Sequence, residues 1–343
     1  MNKKGGKEVF KKFLELKNKT GVTFYDTHVH PMEVFGIEDK QQKDRSSENI
    51  YDPSLLEKLK YSNFSLSILR LLFCLTPQYI RGEISKKFIH TNQDFLLREL
   101  ELAGINKAIL LPVYPYAKPE KIYNDFKSEK FIHLGSLNLD LNASEIKQSL
   151  QQQIDKYSIV GLKLHPNIQN FYPIPELNDV YTREKLEKAV AVAKDKSLYL
   201  LFHGGLSFAP EKNGFVKKEY ALIDNFLNHT NFLKTLGVPI VIAHLGFYNV
   251  KNPNIKKLGS LIEIPNLYFD TAGVNPKYVE EFLNLFGPDR LIFGSDAPYF
   301  NMRYNLIMIL GAIYEFDNEE FEKNVLKIFS ENYDKIILNK CST

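Results

Sequence analysis

Short apolar runs rich in β-branched and aromatic residues recur along this chain. Between them lie stretches whose apolar residues fall at i, i+3 and i+4. Eight runs read as strands: VTFYDTHVH (22–30), KAILLPVYP (107–115), FIHLGSLNL (131–139), SIVGLKLHP (158–166), SLYLLFHGG (197–205), PIVIAHLGF (239–247), NLYFDTAG (266–273) and RLIFGSDAP (290–298). The helical stretches include 94–104, 143–157, 183–196, 219–237 and 276–287, and several end at Gly or Asn. Strand and helix alternate, which predicts parallel βαβ units with both faces of each strand covered. Eight units favour a closed (β/α)₈ TIM barrel over an open, doubly wound sheet. No strand is followed by G-x-G-x-x-G, so the dinucleotide-binding variant lacks its fingerprint.

The segment from about 31 to 92 breaks the rhythm. It is too long for a loop and carries helical patterns, so it reads as a helical insertion after the first strand, packed over the barrel mouth. Helices around 303–315 and 318–338 close the chain. Two ordinary domains would fit 343 residues as well as one barrel does. The regular strand spacing decides for a single barrel domain over 1–343, insertion included.

Composition changes this picture little. The chain is 44% hydrophobic and 25% charged, with a net charge of +3. It has no concentrated basic stripe, which argues against nucleic acid as a partner. A lysine cluster at 3–17 reads as a solubilising N-terminal arm and helix. The two cysteines, Cys74 and Cys341, imply no disulfide framework and point to a reducing compartment. The N-terminus lacks the apolar segment of a signal peptide. The most apolar run, 67–75, is far shorter than the ~20 residues that cross a bilayer. A soluble, cytoplasmic protein with no membrane partner is expected.

The chemistry begins at His28-Val29-His30. Residues i and i+2 of a strand share a face, so both imidazoles should point to the barrel axis. His203, His244 and Asp296 likewise end apolar runs, and the C-terminal rim of a (β/α)₈ barrel is its active-site face. Burying such groups there without partners is costly, and a shared metal removes the penalty for all of them. Lys163 and His165 are also i and i+2 and share a face.

In these motifs the chain resembles the amidohydrolase-2 group of the amidohydrolase superfamily. The matching residues are YDTHVHP, VGLKLHP, LLFHGG, IVIAHLG and LIFGSDAP at strands one, four, five, six and eight, with NVLKIFSENYDKIIL as a closing helix. That group holds metal-dependent hydrolases and decarboxylases related to aminocarboxymuconate-semialdehyde decarboxylase. The resemblance implies His28, His30, His203 and Asp296 as metal ligands, and His244 as a catalytic residue beside the metal-bound water. Lys163 matches the position of a carboxylated bridging lysine in binuclear members; this subgroup often leaves it unmodified, which favours one metal. Asp296 could also act as general base, and a protonated Lys163 or the inward His165 could bind a substrate carboxylate, with His165 equally readable as a hydrogen-bond partner that supports the site. One divalent ion is expected, Zn²⁺ first, with Mn²⁺ or Fe²⁺ as alternatives.

The first functional expectation is a hydrolase that uses metal-activated water to cleave an amide, ester or lactone-type bond of a small carboxylate-bearing molecule. The second is non-oxidative decarboxylation of an aromatic or unsaturated acid on the same site. A catalytically silent binding barrel is disfavoured, because every residue the family pattern needs is present. His133 reads as a satisfied core histidine, and His90 and His229 as bland positions. Asp270 is a candidate partner within the strand-seven layer, and Ser295 reads as shaping the turn before Asp296. Loops 167–179 and 206–220 are candidate specificity elements. Arg45, Arg70, Arg81 and Arg303 are candidate carboxylate readers. The apolar insertion offers a surface for a homodimer.

Overall fold

Parallel pairing gathers the eight apolar runs into one ring. The computed structural model describes residues 3–36, 53, 77–211 and 214–338. Its strands, in chain order, are β1 (Tyr25–Val29), β2 (Lys107–Leu110), β3 (Phe131–His133), β4 (Gly135–Ser136), β5 (Gly161–Leu164) and β6 (Tyr199–Phe202). They continue with β7 (Gly205–Glu211), β8 (Gly214–Ala221), β9 (Ile240–Ile242), β10 (Leu267–Asp270) and β11 (Leu291–Ile292). β1, β2 and β3 form one parallel ladder; β4, β5, β6, β9, β10 and β11 form the other. Two joints close the ring. At one, β3 and β4 are a single predicted strand interrupted at Leu134. At the other, the amides of Thr27 and His30 donate to the carbonyls of Phe293 and Ala297, and the Asp296 amide donates to the carbonyl of His28. The fold is the (β/α)₈ barrel that the alternation predicts.

The interruption at Leu134 has a local cause. Here the chain leaves its partner β2 and takes up β5, with the Leu134 amide still on the Leu110 carbonyl. The Gln153 side chain completes the ladder, accepting from the Ser136 amide and donating to the Ser136 carbonyl.

Tyr25, Ile109, Leu134, Tyr199, Leu201, Val241, Tyr268 and Ile292 fill the barrel interior. Tyr333 and Ile336, from the closing helix Asn332–Leu338, plug its N-terminal end. The Tyr333 ring lies 4.9 Å from Tyr25 and 6.0 Å from Tyr199. The larger apolar layer lies outside the barrel, between strands and helices.

The helices at Gln93–Ala103, Ala143–Tyr157, Val180–Asp195 and Pro276–Phe286 occupy the expected spans. Three regions differ. The helix expected over 219–237 is two short helices, Ile223–Leu227 and Thr230–Thr235. The segment before them, read as a loop over 206–220, is the antiparallel hairpin β7–β8. The closing helix is Phe321–Leu326 and Asn332–Leu338, joined by a π-helical turn at Lys327–Glu331.

The lysine-rich start is a helix, Lys3–Thr20, but it is not a free arm. Val9, Phe10, Phe13 and Leu16 are buried, and Phe13 packs 5.0 Å from Phe24 and 5.2 Å from Phe329. Of the insertion, the helix Pro77–Ile89 reaches the barrel rim: the Phe88 ring is 4.8 Å from Tyr299, and Lys87 Nζ donates to the Tyr299 carbonyl. Residues 37–52 and 54–76 lie outside the described residues, as do Cys74, Cys341, Arg45 and Arg70; so does the side chain of Arg81. Among the described residues no helix is long and apolar enough to cross a membrane.

Candidate metal centre

The site starts from an irregularity in β1. From Asp26 to Val29 the strand takes three steps while β2 takes two, from Ala108 to Leu110. The extra residue inverts the alternation of faces, as a β-bulge does. Tyr25 points into the barrel low down and Val29 joins the outer layer. His28 and His30 then face the axis at the upper rim. A bulge frees backbone donors, and Asp26 takes them: its Oδ1 accepts from the amides of His28 (3.2 Å) and Ser295 (2.9 Å).

The eighth strand brings Asp296 against this pair. Ser295 shapes the turn, accepting the Ala297 amide at its Oγ (3.0 Å). Asp296 itself has φ 63°, a left-handed conformation that a non-glycine residue adopts only when its surroundings hold it there. Gly294 makes room: a Cβ there would lie 2.7 Å from the Cβ of His28. In the result, His28 Nε2 and His30 Nε2 are 3.2 Å apart, and each is 3.7 Å from Asp296 Oδ1. Two nitrogens bound to one tetrahedral ion at 2.0–2.1 Å stand about 3.3–3.4 Å apart. The three side chains are therefore spaced as ligands of one cation. All of their ligand atoms lie within 4.8 Å of one another.

Asp270, at the end of β10, orders the neighbours. Its Oδ2 lies 2.7 Å from His28 Nδ1, and its Oδ1 accepts from the amides of His244 (2.6 Å) and Ala272 (3.1 Å). The Nδ1–H of His28 is thus given to a carboxylate, which leaves Nε2 as the lone pair facing His30 and Asp296. His244 has φ 59° and Leu245 φ 51°, so β9 ends in a tight turn. The amide freed there is the one that Asp270 accepts. Gly204 permits the turn, because a Cβ at that position would sit 2.6 Å from the Ala243 carbonyl oxygen.

Burial sets the charge state. It lowers His28, His30, His165 and His203 well below the ordinary histidine value, the ligand-competent neutral form. It pushes the Asp26 carboxyl up to about 7 and Asp270 up to about 6, the latter opposed by the His244 amide and the Lys163 ammonium. Lys163 is completely buried, and among the described residues its Nζ has no hydrogen-bond partner. Burial lowers it to about 8, against the pull of Asp270 and Asp296.

The remaining expected residues adjoin this group without joining it. His203 Nδ1 is 3.2 Å from His244 Nε2, and its Nε2 is 3.0 Å from Ser207 Oγ on β7. In that arrangement both ring nitrogens of His203 are engaged, so it can join an ion only by releasing a partner. His244 is closer in, with its ring centroid 4.9 Å from that of His28. The His165 ring stacks on His203 at 4.1 Å, and its Nδ1 accepts from the Ile168 amide. Arg303 lies over the Phe10 ring, on the N-terminal helix. His133 packs against Tyr123 outside the barrel, and His229 bonds the Asn225 carbonyl.

Sequence reasoning missed five residues: Asp26, Asn167, Ser207, Tyr248 and Tyr299. Tyr248 and Tyr299 wall the site, 4.4 Å from His244 and 5.7 Å from His30 between ring centroids. Asp26 stands inside YDTHVHP and could have been found there. Nothing local marks Asn167 or the tyrosines.

A family model described as amidohydrolase matches residues 134–332. No curated protein matches the chain. Among solved structures, an uncharacterised TIM-barrel protein from Bordetella bronchiseptica is 15% identical with a TM-score of 0.54, covering 94% of this chain and 100% of that one. A probable 2-pyrone-4,6-dicarboxylic acid hydrolase from Acinetobacter baumannii, with citric acid bound, is 13% identical with a TM-score of 0.51, covering 92% and 99%. A 5-carboxyvanillate decarboxylase from Novosphingobium aromaticivorans, complexed with manganese and 4-hydroxy-3-methoxy-5-nitrobenzoic acid, is 14% identical with a TM-score of 0.52, covering 93% and 96%.

Proposed function

The chain belongs to the amidohydrolase-2 family of the amidohydrolase superfamily, and from that premise we propose that it is a metal-dependent hydrolase of a small carboxylate-bearing substrate. The carrying observation is the buried His28–His30–Asp296 group at ion-binding spacing. His28 and His30 would hold the ion through Nε2 and Asp296 through its carboxylate, and His203 would complete the shell by giving up one of its contacts to Ser207 or His244. Zn²⁺ suits the donor set, and Mn²⁺, present in the decarboxylase structure, is the alternative. The ion supplies Lewis acidity, which acidifies water and polarises a carbonyl.

The chain's own residues do the rest. The Asp296 carboxylate accepts a proton from the attacking water and returns it to the leaving group. His244 stands beside His28 to orient the water or to steady charge developing on oxygen. Lys163 Nζ, buried and without a hydrogen-bond partner among the described residues, anchors the substrate carboxylate, with His165 beside it. Tyr248 and Tyr299 form walls that suit a flat, unsaturated molecule. That aromatic lining supports a second reading, decarboxylation of an aromatic or unsaturated acid held by the same lysine.

Reaction in ¹⁸O-labelled water separates the two. The protein is treated with a chelator, reloaded with Zn²⁺ or Mn²⁺ and offered lactones and hydroxylated aromatic acids. Label entering the product supports hydrolysis; CO₂ release from the substrate with an unlabelled organic product supports decarboxylation. A protein that takes up neither ion sinks both. Asp296→Asn should keep the fold by circular dichroism yet lose most turnover; near-normal turnover would contradict its role as base.

A further inference from the structure

The hairpin β7–β8 is bound to the site by two side chains that no strand pattern identifies. Asn167 is completely buried. Its Nδ2 donates to the carbonyl of Gly205 (2.9 Å) and to Oγ of Ser207 (3.2 Å), and its Oδ1 accepts from the amide of Ala221 (3.0 Å). Gly205 opens β7 and Ala221 closes β8. One amide side chain therefore clamps both roots of the hairpin. From Ser207 Oγ the contacts run on to His203 Nε2 (3.0 Å), from His203 Nδ1 to His244 Nε2 (3.2 Å), and from His244 Nδ1 to the Ala272 carbonyl (2.6 Å).

These contacts have a direction. The Ala272 carbonyl can only accept, so Nδ1 of His244 carries its proton. A neutral His244 then offers a lone pair at Nε2, and His203 donates to it from Nδ1. A neutral His203 offers its own lone pair at Nε2, which the Ser207 hydroxyl fills. The Ser207 oxygen is left to accept from Asn167, whose NH₂ can only donate. Each donor meets an acceptor, from the hairpin root to the strand-six turn.

We propose that Asn167 and Ser207 are positioning residues: their hydrogen bonds lock His203 as the Nδ1–H tautomer and so hold it against His244, coupling the hairpin to the site. This rests on the reading of His203 and His244 as site residues. It means that a displacement of the hairpin root would be transmitted to His244 through Ser207 and His203.

The test reads tautomers directly, by two-bond ¹H–¹⁵N spectra of histidine-labelled, chelator-treated protein at mildly alkaline pH. His203→Gln and His244→Gln variants assign the signals. Wild type should show both rings as Nδ1–H. Ser207→Ala should lose the single His203 tautomer, and Ser207→Thr, which keeps the hydroxyl, should restore it. Asn167→Asp should behave like Ser207→Ala although Ser207 is intact, because a carboxylate turns the serine hydroxyl toward itself. A His203 signal unchanged in folded Ser207→Ala, or an Nε2–H His203 in wild type, overturns the proposal. If Asn167→Asp does not fold, the alanine and threonine pair decides. Uptake of Mn²⁺ by wild type is measured separately: its absence defeats the metal-centre reading and leaves the tautomer result standing.

Discussion

At the scale of residues, the site is a set of shared protons and lone pairs rather than a list of ligands. Asp270 is the centre of that economy, since one carboxylate orients the His28 ring and satisfies the amide of the left-handed His244. Groups that orient metal-binding histidines typically contribute 10–100-fold in affinity. Asp270→Asn should therefore weaken Mn²⁺ or Zn²⁺ binding by about 10–100-fold in titration calorimetry, while His28 stays in the chain. Unchanged affinity would remove Asp270 from the metal's support. Sequence alone marked Asp270 as a strand-end carboxylate but did not say which two neighbours it serves, because those neighbours lie 26 and 242 positions away.

At the scale of elements, two features carry the geometry. The first is the close packing of β1 on the segment after β11. Gly294→Ala would set a methyl group 2.7 Å from the Cβ of His28. Overpacking of this kind costs about 1–3 kcal/mol, and here the strain falls on a ligand. The expected outcome is a lowered denaturation midpoint together with reduced metal content; a variant with wild-type metal content would show that β1 can move aside freely. The second is β3, whose His133 faces the outer helices. Burial lowers His133 to about 4 from its ordinary 6.5. Between those values the unfolded chain binds the proton more readily, so stability rises with pH across that window. The contribution of neutral His133 is complete above 6.5 and lost as pH falls through about 4. His133→Gln should flatten the fall of Tm on acidification without lowering metal content. An unchanged slope would contradict the burial argument, and selective metal loss would bring His133 into the site.

At the scale of the whole molecule, the barrel keeps its chemistry and its stability at opposite ends. The C-terminal rim carries the histidines and carboxylates; the N-terminal end is sealed by Tyr333 and Ile336 from the last helix. Truncating a buried aromatic typically costs about 3–5 kcal/mol. Tyr333→Ala should lose stability of that order in chemical denaturation and still bind metal in the folded state. If stability were unchanged, the closing helix would not be part of the core. The Lys3–Thr20 helix contributes to the same end of the argument, because Phe13 reaches both Phe24, just before β1, and Phe329 in the closing segment.

The chain's own order of residues determined the barrel, since period-two and period-3.6 patterns are local and each repeats every few dozen positions. It also determined which polar residues end strands, and hence which ones can meet at a rim. Only the tertiary structure decided how they meet. It drew His28, His30 and Asp296 into one group and set His203 against His244 and Ser207 instead. His28 and His30 share a face as the i, i+2 rule expects, while a register shift between Asp26 and Val29, which that rule does not contain, separates their facing from that of Tyr25. The segment read as a loop over 206–220 is a hairpin because β7 and β8 pair with each other and Asn167 holds their roots. The physical reason is the same in each case. Periodicity is a property of neighbours along the chain, whereas a bulge, a left-handed turn or a tautomer is set by partners that only the closed ring brings within hydrogen-bonding distance.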